Sequence, residues 1–171
     1  LTEYAEGLIA IAPAFDSDIR SLISTHDAEA LQARLRYYTD TFGPDGFYLE
    51  VSRHPQIEGH DEMMRQVILL GKKHSVPLVA SQEVYYLFPE EKKARETLLL
   101  VNSQGEPKDF QTDESDFSFM SLEKTEEMFS DIPEAVLNTS RIAGRCTLEL
   151  ELGKWVFPDY KTKNGESYDD E

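Results

Sequence analysis

Phe47-Tyr48-Leu49-Glu50-Val51 stands directly after Gly43-Pro44-Asp45-Gly46, a run that forces a turn, and its apolar, aromatic and β-branched residues read as a buried strand. Two other short runs share that character. Leu8-Ile9-Ala10-Ile11-Ala12 ends at Pro13, and Val76-Pro77-Leu78-Val79-Ala80 lies downstream. Helical patterns fill the intervals. Ser17 to Ser24 reads as a short helix and Ala28 to Thr41 as a longer one, with Leu31, Leu35 and Tyr38 on one stripe and Thr25 or Asp27 as its cap. From Glu62 to His74, Met64, Val67, Ile68 and Gly71 fall at inward spacing, and from Glu90 to Val101 the residues Ala94, Leu98 and Val101 share a face. The order β, α, α, β, α, β, α predicts parallel strands joined by crossover helices.

After Gly105 the chain turns polar and acidic to Asp116, the composition of a loop. Two helices are expected next. Ser121 can cap the first, and Asp131-Ile132-Pro133-Glu134 supplies the acceptor, early proline and glutamate that open the second. Along that second helix Ile132, Val136, Thr139, Ala143 and Cys146 form a stripe, with Ile142 beside it. The organisation expected is therefore an α/β part over 1–118, a helical pair over 119–152 and an extended tail over 153–171. Three parallel strands do not close a barrel, so the expectation is an incomplete one with a further part upstream.

Composition narrows the function. Against 17 basic residues stand 33 acidic ones, for a formal net charge of -16 over 171 residues, so most of the surface repels a phosphate backbone. One cysteine, Cys146, excludes an internal disulfide and a cysteine-based zinc cluster, and it reads as a small buried helix residue. No stretch approaches the ~20 apolar residues of a membrane span, and no secretory leader is visible, so a cytoplasmic protein without a membrane partner is expected.

The residues that could carry chemistry are few. Phosphate loops, nucleophile elbows, His-Glu-x-x-His and Cys-x-x-Cys are all absent from the sequence. His26, His54, His60 and His74 stand at spacings that place no two on one helical face at i, i+4, and each reads as a surface or cap histidine. Asp113-Glu114-x-Asp116 lacks the glycine and distal glutamate of a calcium loop and reads as a solvated acidic loop. Glu83 is the more pointed candidate, because it follows the third strand, where active sites of parallel α/β folds gather.

Taken in order, several segments resemble the second half of the polymerase and histidinol phosphatase (PHP) domain found in bacterial DNA polymerase III alpha subunits. Gly7-Leu8-Ile9 with its strand is similar to the family's segment ending in Ser-Gly-Cys, and Phe47-Tyr48-Leu49-Glu50 to its Phe-Tyr-Leu-Glu strand. Val76-Pro77-Leu78-Val79-Ala80-Ser81-Gln82-Glu83-Val84-Tyr85-Tyr86 resembles the strand that leads into Thr-Asn-Asp-Val-His-Tyr. Most diagnostic is the end: Ser121-Leu122-Glu123, Glu127-Met128, Asp131-Ile132-Pro133-Glu134-Ala135, Asn138-Thr139 and Ile142-Ala143-Gly144-Arg145-Cys146 are similar to the helical pair that closes the domain. The resemblance runs from about residue 4 to 160.

The resemblance implies a partial PHP-type (β/α) barrel followed by a helical pair, in a slice of a catalytic alpha subunit that lacks a complete active site of its own. Upstream would lie a His-x-His strand, and the tail would lead to the polymerase palm with its magnesium. Two roles from different classes follow. In active PHP sites histidines and carboxylates hold zinc or manganese for phosphoester hydrolysis. The other role is structural: bracing the rest of the alpha chain and docking the proofreading exonuclease, with DNA contacted only through other domains. Matched to the family, three ligand positions fall on Ala14, Glu83 and Tyr85. Alanine has no donor atom, and a phenol of pKa near ~10 replaces imidazole poorly at neutral pH. Glu83 keeps a carboxylate, but its extra methylene moves the oxygens by about 1.5 Å where coordination tolerates ~0.2 Å. A degenerate metal site, with no cofactor bound by this stretch, is the expectation.

Overall fold

A computed structural model describes residues 2–102, 116–150 and 152–155. Its centre is a three-stranded parallel sheet in the order β1-β2-β3, formed by Ala10–Ala12 (β1), Phe47–Val51 (β2) and Leu78–Ala80 (β3). Ala10 aligns with Phe47, and Leu49 with Leu78. The central strand β2 is buried along nearly its whole length because elements cover both its faces, which is why its sequence is a continuous apolar run. Whether a barrel is completed lies outside these residues; what they form is a mixed α/β arrangement of this sheet and six α-helices.

Local chemistry sets the helix ends. Helix α1 (Asp18–Ser24) is capped by Ser17, whose hydroxyl accepts from the Arg20 N–H, and α2 (Ala28–Phe42) by Asp27, which accepts from the Ala30 N–H. Helix α3 (His60–His74) buries Met64, Val67, Ile68 and Gly71, the face read from the sequence, and adds Leu70. Together Phe47, Leu49, Val51, Met64, Ile19, Ile23 and Leu35 form the core, joined from the far side by Phe129, Ile132 and Ala135. Each such side chain contributes about 1.5–3 kcal/mol on burial.

The closing helices are α5 (Leu122–Met128), capped by Ser121 as expected, and α6 (Pro133–Arg145), which lies against β3. Three expectations for α6 are corrected. Asp131 is not its cap: Ile132 holds that position, with Pro133 opening the helix, and the Asp131 carboxylate instead accepts two hydrogen bonds of 2.7 Å from Arg53. Its buried face is Ile132, Ala135 and Asn138, while Thr139 and Ala143 are exposed. The face is displaced because Asn138 is buried and donates to the Leu78 carbonyl at 2.7 Å. Cys146 is exposed rather than buried, since the helix stops at Arg145 and the chain turns away there.

Helix α4 (Lys92–Asn102) follows a 3-10 turn at Pro89–Glu91 and is the other departure. It buries no residue. Leu98 and Val101, expected on an inward face with Ala94, are 66% and 71% exposed, because α4 leans mainly on its preceding turn and not on the sheet. The acidic residues Asp113 and Glu114 and most of the tail lie outside the described residues. Asp116 serves a turn, accepting from the Ser118 N–H at 2.9 Å and facing Lys124 at 3.5 Å. No helix among the described residues is long and apolar enough to cross a membrane.

Candidate functional site

Parallel strands deliver all their carboxyl ends to one rim, and the chain leaves that rim through Pro13-Ala14-Phe15, Ser52-Arg53-His54 and Ser81-Gln82-Glu83. All three family-matched positions therefore sit at one end of the sheet, with Ala14 on one outer strand and Glu83 and Tyr85 on the other. Two strand spacings, about 10 Å, separate the exits of β1 and β3. The structure brings Glu83 and Tyr85 together and leaves Ala14 apart.

Ala14 is buried and its backbone is fully used. Its N–H donates to Glu50 Oε2 at 2.7 Å, and its carbonyl accepts from Arg20 Nη1 at 2.8 Å. On the other side Tyr85 donates its hydroxyl to Glu83 Oε2 at 2.5 Å. That hydrogen bond, with burial second, raises the Tyr85 pKa above its usual value of 10, so the phenol stays protonated at neutral pH. Tyr85 is 49% exposed, its ring lying under the Arg95 guanidinium at 3.9 Å and near Phe117. The buried ring of this pair is Tyr86, whose oxygen accepts from the Phe117 N–H at 2.9 Å.

Between these exits lies a cluster that the sequence did not announce. His54 and His60 are 1% and 0% exposed, which corrects their reading as surface or cap residues. Phe15 stacks on His60 at 4.7 Å with 21° between the planes and sits 5.3 Å from His54; the two imidazoles meet edge-on at 5.4 Å. Phe117 closes the far side of His54 at 4.8 Å. His60 Nε2 lies 3.0 Å from Ser52 Oγ and 3.3 Å from the Ser52 carbonyl. A carbonyl only accepts, so Nε2 carries the proton and Nδ1 is left with a lone pair and no partner among the described residues. Burial above all, with Arg20 and Arg53 adding to it, pulls the His60 pKa below the usual 6.5.

Ser52 and His60 have the contact of a nucleophile and its base. Burial decides against that role: Ser52 is 1% exposed, among the described residues no carboxylate bonds the ring, and a nucleophile must reach its substrate. Among the described residues the cluster is packed and buried at the rim. A sequence signal for it existed, since His54 follows a buried parallel strand as Glu83 does, but helical spacing was the wrong test for a contact made across a loop.

Alanine supplies nothing at position 14, and Glu83 is engaged by the protonated Tyr85. Among the described residues no three His, Cys, Asp or Glu side chains come close enough to hold one ion. A cleft of about 1190 Å³ is at the opposite end of the sheet, where α6 crosses the start of β3. Lys72, Arg141 and Arg145 line it together with Asp45, Asp131 and Glu134, and Arg145 donates to the Asp45 carbonyl and the Tyr48 hydroxyl. That cleft is the joint between helix and sheet.

No family model matches the chain. Curated proteins do. The DNA polymerase III alpha subunit of Pseudomonas aeruginosa is 35% identical across 98% of this chain and 14% of that protein. The alpha subunit of Pseudomonas fluorescens is 33% identical across 99% of the chain and 15% of its own length, and that of Bacillus subtilis 28% identical across 99% and 15%. The chain spans about one seventh of the length of the curated relatives it matches.

Proposed function

This chain is a homologue of one segment of the DNA polymerase III alpha subunit, and from that premise we propose that it serves DNA-directed DNA synthesis in chromosome replication as a structural part of such a subunit. It braces the polymerase core and offers the proofreading exonuclease a surface, without hydrolytic chemistry of its own. The carboxylates and magnesium of nucleotide transfer belong, on this reading, to other parts of the cytoplasmic subunit. So do the contacts to DNA, which a net charge of -16 disfavours here.

The observation that carries the structural role is the state of the carboxyl rim. Where a metallohydrolase needs open donors around a space for water and phosphate, this rim has the Ala14 methyl, two imidazoles packed on Phe15, and Glu83 held by Tyr85. These contacts favour a degenerate metal site that survives as packing.

The test uses the full-length alpha subunit carrying this segment. Glu83→Gln should leave primer extension within about twofold and exonuclease capture intact. Elemental analysis should find no zinc or manganese that depends on Glu83. Hydrolysis of a phosphoester with added manganese or zinc, lost on Glu83→Gln, would overturn the structural role in favour of a metal-dependent phosphoesterase.

A further inference from the structure

Thr147-Leu148-Glu149-Leu150-Glu151-Leu152 alternates apolar and charged side chains after its first residue, the period of a strand with one face buried. The domain does not use it. Leu148, Leu150 and Leu152 are 83%, 68% and 84% exposed, and none of the described residues here belongs to a strand. The stretch leaves α6 beside the start of β1, where Arg145 and Thr147 line one cleft with Gly7, Leu8 and Ile9.

We propose that residues 147–152 form an edge strand that adds to a β-sheet elsewhere in a full-length alpha subunit, pairing with an edge that is apolar on one face and carries lysine or arginine on the other. This rests on the reading of the chain as a segment of such a subunit. Three observations choose the occupant. The two-residue period fits a sheet edge and not a helix groove. In the sequence the leucines alternate with Glu149 and Glu151, so a pairing strand must set cations against the glutamates, and the outer strands among the described residues, Ala10–Ala12 and Leu78–Ala80, contain none. A second copy paired through the same stretch would bring glutamates against glutamates, which opposes pairing. The relatives are about seven times longer than the matched stretch, ample chain to supply the sheet.

Hydrogen exchange on the full-length subunit tests this, with a synthetic peptide of residues 146–155 as the unpaired reference. Amides within 147–152 should exchange at least about a hundredfold more slowly in the subunit than in the peptide. Leu150→Asp should bring them to within about fivefold of the peptide, whereas Leu122→Asp, at an exposed apolar position elsewhere, should not. Exchange as fast as the peptide's overturns the inference even where DNA synthesis is intact; protection that survives Leu150→Asp overturns it too. A concentration-dependent dimer abolished by Leu150→Asp would assign the strand to a second copy, against the proposal. Absence of DNA synthesis in the unaltered subunit strikes instead at the reading on which the proposal rests.

Discussion

His60 couples the packing of the carboxyl rim to protons. It is fully buried, its Nε2 is committed to Ser52, and Phe15 covers its face. Its pKa lies below the ordinary 6.5, chiefly through burial, so the unfolded chain takes up a proton more readily than the folded one. The sign follows: stability from the neutral ring is complete above pH ~6.5 and declines as pH falls below it toward the folded-state value, by at most about 1.4 kcal/mol per pH unit. Thermal unfolding followed between pH 5 and 7.5 should show this decline, and His60→Phe, which keeps the ring contact and removes the titration, should shrink the slope by up to one proton's worth. An unchanged slope in His60→Phe would assign the acid sensitivity to other groups. Much of this was hidden at the residue level. A histidine in a polar sequence looks solvated until a loop folds it under a phenylalanine far away in the chain.

At the scale of elements one tight constraint is α3 against β3. A Cβ at Gly71 would meet Leu78 Cδ2 at 2.7 Å and the Val76 carbonyl oxygen at 3.0 Å. In an open helix Gly→Ala is worth about 1 kcal/mol of stabilisation; here the side chain must be inserted against a strand's approach, and overpacking costs about 1–3 kcal/mol. Strain wins, so Gly71→Ala is expected to lower stability, by up to about 2 kcal/mol in denaturant unfolding, and a stabilised variant would show that β3 retreats freely. The sequence made this element legible because, beyond His60 at its start, the inward residues of α3 are apolar or glycine, and β2 because it is buried on both faces. It misled on α6, where an asparagine occupies the inner face in order to bond a strand carbonyl, and on α4, whose regular apolar spacing has no sheet beneath it. Periodicity reports which face a helix could bury; only the neighbours decide whether it does. For the candidate site, position after a parallel strand located Glu83 and the rim, while the burial of His54 and His60 depended on contacts that no spacing rule encodes.

At the scale of the molecule, two opposed forces govern association. Leu87, Phe88, Phe119 and Leu122 are each more than 60% exposed, Leu98 and Val101 extend the apolar surface, and β1 and β3 are outer strands of a short sheet. Such surfaces and edges favour self-contact. Against them stands a net charge of -16, which makes any two copies repel. The ranges of the two differ. Apolar contact acts only at touching distance, whereas repulsion reaches about 30 Å at 0.01 M salt and only ~3 Å at 1 M. Salt therefore removes the barrier and leaves the attraction. The chain of residues 1–171 should run as a monomer in light scattering at 0.02 M sodium chloride and shift to oligomers or aggregate near 1 M. Phe88→Asp combined with Phe119→Asp should weaken that shift by adding charge where the apolar surface is densest. Monomers at both salt concentrations would mean that the exposed side chains are covered within the chain itself, and the case for an unfinished surface awaiting the rest of a subunit would fall with them.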